Sequence, residues 1–187
     1  MENQNIFKNT MNKGLIMGLL FTVNFLFSAS KNIALLILTY FIVAAVMIVM
    51  YRMAKSFRDK ECGGFISFRK VFSFIFLTIF FGSVISAIFK LIYVQNINPG
   101  YLETLLEQAY MQMEKNQSLF ARLGVNIDEN YYNQLEKQFR PTNFAIQTIW
   151  INVFWGALLA LIYGLILKKK PGLFDEIPKK TSSDNQI

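Results

Sequence analysis

The side chains that most often carry chemistry are few in this sequence. Among 187 residues there is one cysteine, Cys62, and there is no histidine. A catalytic Cys–His pair is therefore excluded, as is any metal site that uses histidine. A single cysteine also forms no disulfide within the chain. We predict no catalytic residue, no cofactor and no metal, and therefore a protein that is not an enzyme.

Carboxylates give the next candidates for chemistry. Glu103, Glu107 and Glu114 recur near four-residue spacing in a stretch with a helical pattern. Two or three carboxylates could hold a divalent cation, but no loop with ligand spacing accompanies them. We interpret them as a solvated helix face. A membrane enzyme that acts on lipid remains an alternative, and it would depend on Glu103, Glu107, Asp128 or Glu129.

Polar side chains inside apolar stretches are the remaining candidates. Lys90 lies about one turn from the end of a long apolar segment, where it could extend to the membrane interface. Asn24 and Asn152 are amides that are costly to expose to lipid. We expect them to hydrogen-bond each other or backbone, since such bonds contribute roughly 0.6 kcal/mol between membrane helices.

Four apolar segments position these side chains. They cover about 13–29, 33–51, 71–93 and 144–167 and carry almost no charge. A hydrocarbon core about 30 Å thick needs about 20 helical residues, and helices satisfy their own backbone groups in lipid. The sequence predicts an all-α membrane protein, with a four-helix transmembrane domain over 1–170 and a flexible cytoplasmic tail over 171–187.

The distribution of charge predicts the orientation of these helices. The N-terminus, the segment between the second and third helices and the tail together hold 13 basic and 6 acidic residues, whereas 94–143 holds four basic and six acidic ones. Basic residues concentrate in cytoplasmic segments. We therefore predict a multi-pass protein of the bacterial inner membrane with both termini in the cytoplasm. This placement also explains the net charge of +7, so we predict no nucleic-acid partner.

The first apolar segment has a second interpretation. Lys8 and Lys13, the apolar run and Ser28-Ala29-Ser30 also resemble a signal peptide with a small-residue cleavage site. Cleavage there would leave three helices with the same orientation. Both interpretations stay open at the level of the sequence, with retention of the segment as the main prediction.

The outer segment 98–142 predicts a periplasmic insertion that folds as a helical hairpin. Asn98 and Pro99 are typical of a helix start, Gly124 of a stop, and a second helix begins near Asp128 and ends at Arg140-Pro141. Each helix has one apolar stripe. The stripe packs on itself, on the membrane or on a partner. The predicted partner surface consists of Leu102, Leu106, Met113, Tyr131, Tyr132 and Phe139.

Small residues four apart predict close helix packing. Such spacing lets two membrane helices approach closely, either within one bundle or between two copies of the chain. The sequence contains such pairs and triplets at Gly82 and Ser86 and at Gly156, Ala160 and Gly164. Trp155, near the centre of the fourth segment, is expected to fill a packing gap.

Short motifs between the helices resemble a known family. They are Gly63-Gly64-Phe65-Ile66-Ser67-Phe68, Asn98-Pro99-Gly100-Tyr101-Leu102-Glu103 and Phe139-Arg140-Pro141. From about residue 10 to 170 the layout resembles domain-of-unknown-function family 4199, small polytopic membrane proteins found largely in Bacteroidetes. The resemblance implies an inner-membrane protein and no known activity.

These observations favour a non-catalytic scaffold or accessory subunit of a membrane complex. The alternative is a small transporter or channel subunit, although no segment is broken by Gly and Pro in the way that transporter helices often are. The predicted partners are the lipid bilayer and either another membrane or periplasmic protein or a second copy of the chain.

Overall fold

The computed structural model describes residues 2–30, 32–122, 124 and 128–171. It contains seven α-helices and one π-helical turn: α1 (Glu2–Ala29), α2 (Ile33–Glu61), α3 (Phe68–Ile92), the π-helical turn (Tyr93–Ile97), α4 (Tyr101–Lys115), α5 (Gln117–Arg122), α6 (Glu129–Gln138) and α7 (Pro141–Leu167). Within the described residues, β pairing is limited to one bridge between Ile66 and Lys169. Lys31, Leu123 and the tail from 172 onward lie outside this description.

Four of these helices are long and apolar enough to cross a membrane. The candidate spans are Phe7–Ala29, Ile33–Glu61, Phe68–Ile97 and Pro141–Leu167. At about 1.5 Å per residue, each exceeds the thickness of a hydrocarbon core of about 30 Å. The predicted all-α chain with four apolar spanning helices is confirmed.

Local signals explain where several helices begin. The Asn32 Oδ1 accepts the Ala34 N–H at 2.9 Å and caps α2, and the Asp128 Oδ1 accepts the Tyr131 N–H at 2.9 Å and caps α6. Pro141 occupies the first turn of α7, where a missing N–H costs nothing. The tight turn before α3 uses Gly63 and Gly64, whose φ angles of 64° and 84° favour glycine.

Helix α3 is the centre of the bundle, with α1 packed on one side and α7 on another. Its side chains Phe74, Ile75 and Ile79 are buried. Half of the most apolar stretch of α3 is buried, compared with 6% of that of α2. The bundle is therefore three packed helices with a fourth at its periphery.

Helix α2 has its buried residues only in its C-terminal half. Met50, Ala54 and Phe57 are its buried residues, and none of residues 33–49 is buried. The Phe57 ring stacks on Phe74 of α3 with 4.2 Å between centroids. One face of the first half of α2, with Leu35, Thr39, Ile42 and Val46, is partly buried, and the rest of its surface is exposed.

Two contacts close the terminal end of the bundle, where α1 begins, α2 turns into α3 and α7 ends. The Lys13 Nζ lies 3.4 Å from the Glu61 Oε1, which joins α1 to α2. Backbone hydrogen bonds of 3.0 and 2.9 Å join Ile66 and Lys169. The opposite end, which carries α4, α5 and α6, is called the loop end below.

The outer segment differs in detail from its prediction. The helix expected from Asn98 to Gly124 begins at Tyr101 and is interrupted at Asn116. The Asn116 side-chain amide donates to the Gln112 carbonyl at 2.7 Å, and such local bonds compete with helix continuation. Helices α4 and α6 meet where Tyr110 contacts Tyr132, 5.4 Å between centroids. The hairpin as a whole stays a prediction.

Candidate functional site

Glycines bring α1 and α3 into close approach beneath the candidate site. A Cβ added to Gly82 would lie 2.9 Å from the Met17 Cβ and 3.0 Å from the Gly18 backbone nitrogen. A Cβ added to Gly14 would lie 2.6 Å from the Phe81 Cβ. Both glycines therefore exclude larger side chains, and the two backbones fix the position of Lys90 further along α3.

The small residues of α7 face α3 of the same chain. A Cβ on Gly156 would lie 2.6 Å from the Ile79 Cγ2, and one on Gly164 would lie 2.8 Å from the Phe68 Cε2. Ala160, between them, is fully buried. The stripe for which the sequence left internal packing and dimer formation open is thus occupied within the chain.

The structure bears on one of the two predicted asparagines. The Asn24 Oδ1 is buried without a hydrogen-bond partner, whereas the hydrogen bonds expected of Asn152 stay a prediction. The Ser86 Oγ, also buried, lacks a partner too. The rotation of each helix about its own axis decides which polar atoms meet. The side chains of α3 that face α1 here are mainly small and apolar.

Lys90 occupies an enclosed position between three helices. Its Nζ lies 3.2 Å from the Thr148 Oγ1 of α7, 4.9 Å from the ring centroid of Phe25 in α1 and 5.7 Å from that of Phe144. Cation–π contacts of this kind contribute about 0.5–2 kcal/mol each. The ammonium is therefore held against α1 and α7, where the sequence suggested extension to the interface.

Tyr93 and Tyr101 pack against Phe25, the aromatic ring that lies closest to the Lys90 ammonium. Their rings lie 5.2 and 5.8 Å from Phe25, and 5.8 Å from each other. In the π-helical turn the Asn98 N–H bonds the Tyr93 carbonyl five residues back, at 2.8 Å. Burial raises the pKa of the Tyr101 phenol, with a further contribution from Tyr93, so the phenol is neutral.

The lysine cluster, defined as Lys90 with Phe25, Tyr93, Tyr101, Phe144 and Thr148, can bind an electron-rich group. The Thr148 hydroxyl donates to the Phe144 carbonyl at 3.1 Å and so accepts from Lys90. An ammonium has three donors, which leaves two for another acceptor. No carboxylate within the described residues lies within 4 Å of Lys90.

The other predicted sites are scattered over the loop end. Glu103, Glu107 and Glu114 are exposed, and the described residues contain no group of three His, Cys, Asp or Glu that could hold a metal. In the predicted partner surface Leu102 and Met113 are buried, while four members are partly buried: Leu106, Tyr131, Tyr132 and Phe139. Partner binding there stays a prediction.

The neighbours of Lys90 and the exposed position of Trp155 were not predicted from the sequence. Phe25, Phe144 and Thr148 come from two other helices, and no local spacing links them to Lys90. Trp155 is 64% exposed, so the expectation that it fills a packing gap is wrong. Glycine stripes turn the opposite face of α7 toward α3, which leaves Trp155 outside.

The architecture and the family comparison now agree. Four long apolar helices around a packed centre define a multi-pass membrane protein. A model of the family described as Protein of unknown function (DUF4199) matches residues 12–169. The chain therefore belongs to this family, as the inter-helix motifs indicated. Comparison with curated proteins and with solved structures finds no match.

Proposed function

We propose that this protein is a non-catalytic accessory or scaffold subunit of a membrane complex, with the first half of α2 as its contact surface. The supporting observation is that none of residues 33–49 is buried against the rest of the chain. Because this half of the helix is apolar and most of its surface is exposed, it presents that surface to other molecules in the bilayer.

Tyr40 gives this surface a polar feature that lipid tails cannot satisfy. Its side chain is 78% exposed, and its hydroxyl has no hydrogen-bond partner within the described residues. It lies about 10 Å along the axis from Ile33 and about 18 Å from Arg52. An unbonded hydroxyl in an apolar environment costs about 1–3 kcal/mol, which a neighbouring membrane helix would offset.

Gentle affinity purification from native membranes tests the proposal. We expect the tagged chain to co-purify with a defined partner in several mild detergents, and Tyr40→Phe to reduce the yield of that partner. A variant at an exposed position of α7, Ile162→Val, serves as the control and should keep the partner. Recovery of only the monomer in every detergent would contradict the proposal.

The orientation belongs to the same proposal, with the terminal end in the cytoplasm and the protein in a bacterial inner membrane. The described basic residues concentrate at that end, among them Arg52, Arg58 and Arg69. In a Cys62→Ser background, Lys60→Cys should resist a membrane-impermeant maleimide in intact cells, whereas Glu103→Cys should react. The reverse pattern would invert the orientation.

A small transporter is the second candidate, and the lysine cluster is the observation that favours it. Ionisable groups within membrane spans often mark ion or substrate pathways. Two buried oxygens without a hydrogen-bond partner lie on the same helices, the Asn24 Oδ1 on α1 and the Ser86 Oγ, four residues before Lys90, on α3. Anion flux into proteoliposomes that Lys90→Met abolishes would support transport, and absence of flux would remove it.

A further inference from the structure

A groove between α2 and α7 lies near the terminal end of the bundle. It has a volume of about 580 Å³ and is separate from the lysine cluster. Tyr51 and Tyr163 form one wall with 5.5 Å between their ring centroids, and the Tyr163 hydroxyl donates to the Met47 carbonyl at 3.1 Å. This hydrogen bond ties α7 to α2 and keeps the groove open in a fixed shape.

The lining of the groove changes character along the axis of α2. Ala44, Ile48 and Arg52 follow one another at four-residue spacing, and each step advances about 6 Å. A parallel row runs from Met47 through Tyr51 to Lys55. Along the axis of α2, the groove is therefore apolar toward the loop end, aromatic in its middle and cationic toward the terminal end.

The two cations at the mouth of the groove are available to a ligand. Arg52 and Lys55 are exposed, and neither forms an ion pair within 4 Å among the described residues. Asp59, one turn beyond Lys55, lies 2.7 Å from the Arg58 Nε instead. The mouth therefore carries two cations without a direct ion pair among the described residues, although the Asp59 carboxylate lies within coulombic reach of Lys55.

We propose that this groove is a binding site for one anionic phospholipid. The phosphate would lie between Arg52 and Lys55, and one acyl chain would run along Ala44, Met47 and Ile48. The Arg52 guanidinium provides paired donors that suit phosphate oxygens, and basic grooves between membrane helices are typical sites for acidic headgroups. The exposed side chains of Met47 and Ile48 open the apolar part to the bilayer.

This site overlaps one end of the proposed contact surface, because Ala44, Met47 and Ile48 belong to residues 33–49. Its two cations lie outside that surface, and Tyr40 lies about 6 Å nearer the loop end than Ala44. The two proposals can fail separately, because one is read by bound lipid and the other by a co-purifying protein. A bound lipid would fill the space that α2 and α7 leave between them.

Lipid retention by the purified full-length protein tests the proposal. The protein in mild detergent is mixed with phosphatidylglycerol or phosphatidylcholine of the same acyl chains, and bound lipid is counted by native mass spectrometry. We expect a preference of roughly tenfold or more for phosphatidylglycerol, and its loss in the double variant Arg52→Gln/Lys55→Gln. Equal retention of the two lipids, or an unchanged preference in the double variant, would overturn the proposal.

Two further variants separate a built site from general charge attraction. Lys60→Gln/Arg69→Gln removes the same charge from exposed positions outside the groove and should keep the preference. Ala44→Trp fills the apolar part without changing charge and should lower phosphatidylglycerol binding several-fold, while inorganic phosphate should not compete. If the control double variant loses the preference equally, or if Ala44→Trp has no effect, a lipid site in this groove is excluded.

Discussion

Helices α3 and α2 are both long and apolar, yet they occupy opposite places in the molecule. Over its most apolar 18 residues, mean hydropathy is 2.4 in α3 and 2.9 in α2, so the more apolar stretch is the more exposed one. In a bilayer, burying an apolar side chain against another helix gives no hydrophobic gain, because the lipid tails are equally apolar. Packed membrane helices are instead recognised by small or polar residues at their interfaces. The buried Thr78, Gly82, Ser83 and Ser86 of α3 follow this rule.

The largest difference in stability between substitutions in α3 and in α2 is expected when Gly82 is enlarged. We expect Gly82→Val to destabilise the bundle by about 3 kcal/mol or more, because the new side chain would meet the Met17 Cβ and the backbone of Gly18. Ala34→Val on the exposed face of α2 should leave stability unchanged. Unfolding midpoints in detergent, read by size-exclusion chromatography, compare the two. Equal tolerance would contradict the central place of α3.

The lysine cluster allows a second test, in which two substitutions should change stability in different directions. Thr148→Val removes the acceptor of the Lys90 ammonium and should destabilise the protein by about 1–3 kcal/mol. Lys90→Met should be neutral or stabilising, since an apolar side chain replaces a partly buried charge. In the Lys90→Met background, Thr148→Val should cost little. Thermal unfolding of the four proteins measures this cycle, and additive losses would refute the coupling.

A smaller effect is expected where α7 holds α2. Tyr163→Phe removes the hydrogen bond to the Met47 carbonyl and should lower stability by roughly 0.6 kcal/mol. Tyr40→Phe removes a hydroxyl that has no partner within the described residues and should leave the isolated monomer unchanged. Thermal unfolding of the monomer in detergent distinguishes them. A loss for Tyr40→Phe would place its hydroxyl in an internal contact.

The smallest effect concerns the contact between α1 and α2 at the terminal end. Glu61→Gln weakens its pair with Lys13, and both side chains are partly exposed, so the loss should be about 0–1 kcal/mol. High salt should reduce the difference between the variant and the wild type, because it screens the pair. Unfolding midpoints at low and high ionic strength check this. A large loss that is independent of salt would indicate a buried role for Glu61.

The membrane spans were predictable because high hydropathy over a long segment indicates that it lies in lipid rather than in water. The same signal does not say how far a helix is packed, so α2 and α3 looked equivalent. The interruption at Asn116 and the π-helical turn at Tyr93 also escaped prediction. Both depend on local hydrogen bonds that compete closely with a regular helix.

The neighbours of Lys90 were not predictable from spacing. Its contacts with Phe25 and Thr148 depend on how α1 and α7 rotate about α3, and that rotation follows from the close approaches at Gly82 and Gly156. The small-residue stripes were visible in the sequence. Their partners across the interface were not visible, because a stripe of small residues indicates that two helices lie close together but not which residues lie opposite each other.

Photo-crosslinking within native membranes shows directly whether the first half of α2 contacts another protein or only lipid. The photoreactive residue p-benzoylphenylalanine is placed at Tyr40 of α2, or at Ile88 on the exposed face of α3, which is 56% exposed. We expect one discrete protein adduct from position 40 and only lipid adducts from position 88. Lipid adducts alone from position 40 would contradict the claim that α2 is the contact surface of an accessory subunit.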